Sequence, residues 1–257
     1  MSFLVICTVA ALASGLTFFS GFGLGTLLLP AFAVFFAVEQ AVALTAIVHF
    51  LNGLFKLALV WRHIDRGVVL RFGLPAIVGA FAGAWLLVEM AGTGALFSYT
   101  AFGRNIEVVP AKLVIGILLL CFACAEMLPA FRKISFAPRY QPLGGLLSGF
   151  FGGLAGMQGA LRSAFLVKSG LDKATYVATG AAIAFLIDVS RLSLYAPLIM
   201  AQHGALDYTL LGAAVIAALA GSLLGNRYLH KATLHGIQIV VAILLFIVAL
   251  GLISGLL

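Results

Sequence analysis

The stretch Leu146-Leu-Ser-Gly-Phe-Phe-Gly-Gly-Leu-Ala155 is apolar, broken by glycine, and one of a pair. Its counterpart is Leu12-Ala-Ser-Gly-Leu-Thr-Phe-Phe-Ser-Gly21. The two lie in apolar blocks, 140–168 and 1–38, that exceed a single membrane span of about 20 residues. Glycine disfavours a helix interior by about 1 kcal/mol relative to alanine. Gly15, Gly21, Gly23 and Gly25 in one block therefore mark a break or a close helix contact. So do Gly144, Gly145, Gly149, Gly152, Gly153, Gly156 and Gly159 in the other. The likeness continues downstream. An acid starts the next helix in each case, in Glu39-Gln-Ala-Val-Ala-Leu-Thr45 and in Asp172-Lys-Ala-Thr-Tyr-Val-Ala-Thr179. Further on, Gly79-Ala-Phe-Ala-Gly83 lies against Ala217-Ala-Leu-Ala-Gly221. Three matches in one order predict an internal duplication, with halves 1–133 and 138–257.

The whole chain supports a membrane setting. Of its 257 residues, 63% are hydrophobic and 9% charged, where a soluble domain carries about 25% charged residues. Mean hydropathy is +1.20. So few charges could not cover the surface of a soluble enzyme, and the long unbroken apolar runs exclude a membrane β-barrel. A disordered chain and a disulfide scaffold are excluded on composition. Cys7, Cys121 and Cys124 lie in apolar stretches. Cys121-x-x-Cys124 has redox spacing, but no neighbouring His or Cys completes a metal site. The segment Met1 to Ser14 has an apolar run without a basic leader and is expected to belong to the mature protein. The net charge of +7 comes from scattered loop residues rather than a nucleic-acid-binding run.

Six further apolar blocks, 39–61, 68–91, 109–131, 173–197, 205–226 and 234–256, have single-span length. The basic loops are 62–71 with Arg62, Arg66 and Arg71, 132–139 with Arg132, Lys133 and Arg139, 168–173 with Lys168 and Lys173, and 227–231 with Arg227 and Lys231. Loop 92–108 carries Arg104 against Glu107, and the loop ending at Asp207 has no Lys or Arg. Eight simple spans would split the basic loops between the two sides, against the positive-inside rule. If each glycine-rich block enters and leaves on one side as a hairpin of two short helices, every strongly basic loop is cytoplasmic and both termini lie outside. The expected fold is an all-α, polytopic helical membrane protein with two inverted-topology repeats, each headed by a glycine-broken helical hairpin.

Irregular backbone at membrane depth is tolerated where it is buried in protein or lines a watery cavity. A broken hairpin exposes free N–H groups at the start of its second helix, where the dipole favours an anion. The candidate tips run from Ser20 to Thr26, with Gly21, Gly23 and Gly25, and from Ala155 to Gly159, with Gly156 and Gln158. The alternative is glycine used for tight packing, to which Gly79-x-x-x-Gly83 and Gly221-x-x-x-Gly225 are assigned outright.

Ionisable residues inside spans are functional candidates. His49, Asn52 and Lys56 form one polar stripe at i, i+3 and i+7. Asp188, Arg191 and Tyr195 repeat the spacing. Asp188 and Arg191 can pair structurally, and Lys56, near Trp61, can snorkel to the interface. Arg162 lies one turn beyond the second tip, where a guanidinium suits a sulfonate or carboxylate. Pairing with Asp188 is its alternative. Glu89 and Glu126 are read as interfacial. No phosphate loop, zinc-protease helix or nucleophile elbow is present in the sequence.

The residues Ser14-Gly-Leu-Thr-Phe-Phe-Ser-Gly-Phe-Gly-Leu-Gly-Thr-Leu-Leu-Leu-Pro30 and Leu147-Ser-Gly-Phe-Phe-Gly-Gly-Leu-Ala-Gly-Met-Gln-Gly159, each heading a half, resemble those of the sulfite exporter TauE/SafE family, the TSUP membrane transporters. The resemblance implies a carrier-type permease of the inner membrane for sulfite or organosulfur anions. That family commonly runs three glycines together before a proline. Here the first copy spaces them and the second lacks the proline.

The expected function is secondary transport of small anions by alternating access. Both tips hold the anion through backbone N–H groups, Arg162, Lys56 and Arg191 supply positive potential, and Asp188 holds Arg191 or takes part in proton coupling. The alternative is a channel or cation carrier using Asp188, His49 and Asn52. An enzyme is not expected, because no nucleophile–base pair is placed. No cofactor is expected. The expected partners are a small anionic substrate, the lipid bilayer and a second copy in a homodimer, with no nucleic acid.

Overall fold

The computed structural model describes residues 2–20, 24–101, 103–128, 134–201, 207–228 and 234–257. In chain order its helices are α1 (Ser2–Ser20), α2 (Leu24–Ala33), α3 (Val38–Val60), α4 (Arg66–Ala91), α5 (Pro110–Met127), α6 (Gln141–Ala155), α7 (Gly159–Leu166), α8 (Lys173–Ala201), α9 (Tyr208–Tyr228) and α10 (Leu234–Ile253). Of the described helices, α3, α4 and α8 are long and apolar enough to cross a membrane by themselves. Leu4, Leu59, Val78, Trp85, Ile216 and Ile247 are exposed on the outer surface, as a lipid-facing surface requires. This is a helical membrane protein.

One element departs from the all-α expectation. Residues 92–108, expected as a plain loop, hold an antiparallel hairpin of β1 (Phe97–Ala101) and β2 (Arg104–Val108) turned at Gly103. The alternation Ile106, Val108 inward and Glu107 outward accounts for it. The hairpin packs on the end of α10: Tyr99 donates to the Ser254 carbonyl at 2.6 Å.

The second long glycine block is two helices, α6 and α7, yet most of its glycines do not break anything. Gly144, Gly145, Gly149, Gly152 and Gly153 all lie inside α6. A Cβ on Gly145, Gly149 or Gly153 would sit 2.1, 2.0 and 2.1 Å from the carbonyls of Phe72, Ala76 and Ala80 on α4. One on Gly79 or Gly83 would meet those of Leu146 and Phe150 at 2.1 and 2.0 Å. The two backbones therefore interlock at four-residue intervals, and no side chain larger than hydrogen fits. Gly221 on α9 stands in the same relation to Ala11 on α1, at 2.0 Å.

Gly156 is the residue that ends α6. Its φ is +76°, a left-handed conformation costing other residues roughly 1–2 kcal/mol, and it lets Met157 N–H return to the Phe151 carbonyl. In α4 the interruption has another cause. Pro75 lacks the N–H that would close an ordinary turn, and Val69–Gly73 form a π turn.

The main packed pairs are α4 with α6, α1 with α9, α5 with α10, and α3 with α8. The described basic loops lie together at one end. Lys168 Nζ donates to the Ser135 carbonyl at 3.5 Å, Gln141 Nε2 to Ser169 Oγ at 2.8 Å, and the Asp65 N–H to Thr179 Oγ1 at 2.9 Å. The β-hairpin follows the far end of α4, a helix about 39 Å long at 1.5 Å per residue.

Candidate functional site

Asp188 is the hub of a buried polar cluster where α3, α6, α7 and α8 meet. It is 0% exposed, and both of its oxygens are engaged. Oδ1 accepts from Arg191 Nε at 3.0 Å and from Gln158 Nε2 at 3.3 Å. Arg191 Nη2 lies 2.8 Å from the same oxygen without a directed hydrogen bond. Oδ2 lies 2.6 Å from His49 Nδ1. Burying these charges is tolerated because the carboxylate faces a guanidinium and each of its oxygens has a hydrogen-bond partner.

The spacing of 188, 191 and 195 turns three side chains of α8 toward the end of α6. Arg191 Nη1 donates to the Gly152 carbonyl at 3.3 Å, and Tyr195 donates its hydroxyl proton to the Gly153 carbonyl. Both carbonyls lie in the last turn of α6, where the Gly152 carbonyl also accepts the Gly156 N–H at 2.9 Å. A Cβ on Gly156 would lie 2.9 Å from Arg191 Nη1, so the guanidinium fills the space under the break. A Cβ on Gly25 would lie 2.8 Å from the Gly156 carbonyl. The start of α2 and the break after α6 thus abut each other.

A chain of polar groups leads away from the hub. Gln158 is buried, receives Ser148 Oγ–H at its carbonyl at 3.0 Å, and accepts from Arg162 Nη1 at its Oε1 at 3.3 Å. Arg162 therefore reaches Asp188 through Gln158 rather than pairing with it directly. Arg162 and Lys56 are both half-buried and within electrostatic reach of each other. Arg191 directly, and Arg162 through Gln158, face one carboxylate, and Lys56 lies within electrostatic reach of Arg162.

The expected stripe of α3 is divided between two networks. His49 turns to Asp188, whereas Asn52 joins Ser14 of α1 and Ser222 of α9, with Oδ1 3.1 Å and 2.8 Å from the two hydroxyls and the hydroxyls 2.6 Å apart. All three of these residues are buried. Ser14 and Ser222 were not among the expected site residues, although Ser14 and its counterpart Ser148 stand at matched positions of the duplicated stretch. Gly159 is the first residue of α7. Gly21, Gly23 and the Ser20 side chain lie outside the described residues. Glu89 is exposed, in keeping with an interfacial place. Among the described residues no group of three His, Cys, Asp or Glu could hold a metal. A shallow cleft lined by Glu39, Gln40, Ala43 and Leu44 of α3 with Leu198 and Ile199 of α8 opens on the face of α3 away from His49, and no member of the cluster lines it.

Comparison with curated proteins gives no match. The family model described as sulfite exporter TauE/SafE matches residues 6–252, nearly the whole chain. A membrane transporter of sulfite or related anions is what that family's description indicates, and the apolar helices agree with it. The chain belongs to the sulfite exporter TauE/SafE family.

Proposed function

We propose that the chain is a secondary carrier of a small sulfur oxyanion, sulfite or an organosulfonate, in the inner membrane, and that it binds its substrate where the two glycine breaks meet. The observation that carries this reading is the charge imbalance of the cluster: Lys56, Arg162 and Arg191 against Asp188. In a low-dielectric interior such an excess favours an anionic guest strongly. Arg191 Nη2 keeps N–H groups without a directed acceptor, and the start of α7 adds backbone N–H groups. A cation carrier fits less well, because both Asp188 oxygens are already met by donors.

Alternating access would come from two inverted halves, 1–133 and 138–257, rocking about the site. The helix pairing supports this. Exchanging α1 with α6, α2 with α7, α3 with α8, α4 with α9 and α5 with α10 turns the α1–α9 pair into the α6–α4 pair. It leaves the α3–α8 and α5–α10 pairs unchanged. The grouping of Ser135, Lys168 and Asp65 at one end agrees with hairpins that enter and leave on one side.

Arg162→Ala and Lys56→Ala test the reading in purified protein and in proteoliposomes. Loss of one charge-assisted contact is worth about 1.5–3 kcal/mol, or about ten- to hundredfold weaker binding of sulfite or methanesulfonate, with folding retained. Unchanged binding and transport in both variants would show that the anion sits elsewhere.

A further inference from the structure

His49 brings to the cluster a ring that takes up or releases one proton at Nε2, whereas the guanidinium groups do not titrate. Asp188 Oδ1 accepts from Arg191 Nε and Gln158 Nε2 beside a guanidinium, which favours the carboxylate, so the donor role in the 2.6 Å contact with Oδ2 is assigned to His49 Nδ1. The neutral ring therefore carries its proton on Nδ1 and its lone pair on Nε2. His49 is 8% exposed, against 0% for Asp188, Arg191 and Gln158. The charged groups around it are Asp188 and Arg191 on α8, Arg162 on α7 and Lys56 on its own helix, with the Tyr195 phenol beyond. Of the other helices packed on α3, α2 carries no ionisable residue and α4, α5 and α9 keep theirs near their ends. The contact also joins the proposed halves, His49 coming from one and Asp188 from the other.

We infer that His49 carries a coupling proton: an anion entering the cluster draws one proton from water onto His49 Nε2, and proton and anion cross together. This rests on the anion-carrier reading. The proton binds the Nε2 lone pair, the imidazolium keeps its Nδ1–H on Asp188, and the added charge sits beside the anion that called for it. When the anion leaves on the other side, Nε2 returns the proton to water. Linkage fixes the consequence: above the titration of the ring, anion affinity falls about tenfold per pH unit.

The test is calorimetric titration of the purified full chain with methanesulfonate, which keeps one fixed charge across the range, whereas sulfite exchanges its second proton with water near neutral pH. Titrations at pH 8 in two buffers of different ionisation enthalpy count the protons taken up. Wild-type protein is expected to take up about one proton per anion and to bind about tenfold more weakly at pH 8 than at pH 7. His49→Gln, which keeps an amide donor for Asp188, is expected to bind without proton uptake and with the same affinity at both pH values. Wild-type binding with no proton uptake would overturn the inference and leave the anion site standing, as would a His49→Gln protein that still takes up the proton. Failure of wild-type protein to bind methanesulfonate, sulfite or any other small anion would overturn both.

Discussion

Replacing Asp188 by alanine leaves Arg191 Nε, Gln158 Nε2 and His49 Nδ1 facing a vacated acceptor in a site where Asp188 and Arg191 are both fully buried. Breaking a buried pair from one side destabilises by about 3–5 kcal/mol, because the remaining charge keeps its desolvation penalty and loses its partner. For a chain of this size each kcal/mol moves the unfolding midpoint by about 2–4 °C, so thermal unfolding in detergent should begin roughly 6–20 °C lower. Arg191→Met should produce a loss of the same order from the other side, since it orphans the carboxylate and releases the Gly152 carbonyl. The double variant Asp188→Ala/Arg191→Met has no orphaned charge. It should lie above the sum of the single effects by about 1–3 kcal/mol, the interaction energy of directly bonded residues, while anion transport stays lost. Thermal melts followed by size-exclusion retention give all four corners of the cycle. Single variants that melt within about 2 °C of the parent, or a double variant that loses the full sum, would refute the description of Asp188 and Arg191 as a mutually compensating buried pair.

The α4–α6 seam makes a contrast that expression and melting can read. Gly149→Ala puts a methyl about 2.0 Å from the Ala76 carbonyl and should abolish stable folding. Gly212→Ala, where a Cβ meets nothing within 4 Å, should be neutral or stabilising by up to about 1 kcal/mol. At the start of α8 the Asp172 carboxylate accepts from the Thr175 hydroxyl at 2.7 Å and from the Ala174 and Thr175 N–H groups at 2.9 and 3.1 Å. The Thr175 hydrogen bonds hold this carboxyl below the usual range. Its stabilising contribution is therefore complete above the unfolded-state carboxylate value and is lost as pH falls through the lower folded value. The protection factors of the Ala174 and Thr175 amides, taken against the intrinsic exchange rate at each pH, should fall in acid, and Asp172→Asn should remove that pH dependence. For topology, single cysteines at positions 40 and 170, in a background without Cys7, Cys121 and Cys124, should label from opposite sides of the membrane. Labelling of both from one side would overturn the inverted arrangement.

The glycines show where sequence reasoning stops. Gly149 and Gly156 stand seven residues apart in the same kind of stretch. One is the closest point of a helix–helix seam and the other a left-handed helix end, and the difference lies in what approaches them: the Ala76 carbonyl in one case, the Arg191 guanidinium in the other. The polar stripe of α3 has the same limit. Its spacing put His49 and Asn52 on one face, but α8 meets the first and α1 and α9 meet the second.

The residue order alone determined that the chain lives in a membrane, where its apolar helices lie and which residues are candidates for its site. Those properties follow from local physics: a span must be apolar over a fixed length, its backbone hydrogen bonds close within a few residues, and a charge retained inside it stands out against its neighbours. Only the tertiary structure decided that His49, 139 positions before Asp188, is its partner. Several cations and donors could each have satisfied that carboxylate, and the choice among them depends on the close approach of α6 to α4 and of α8 to the α6 break, made possible by residues with no side chain.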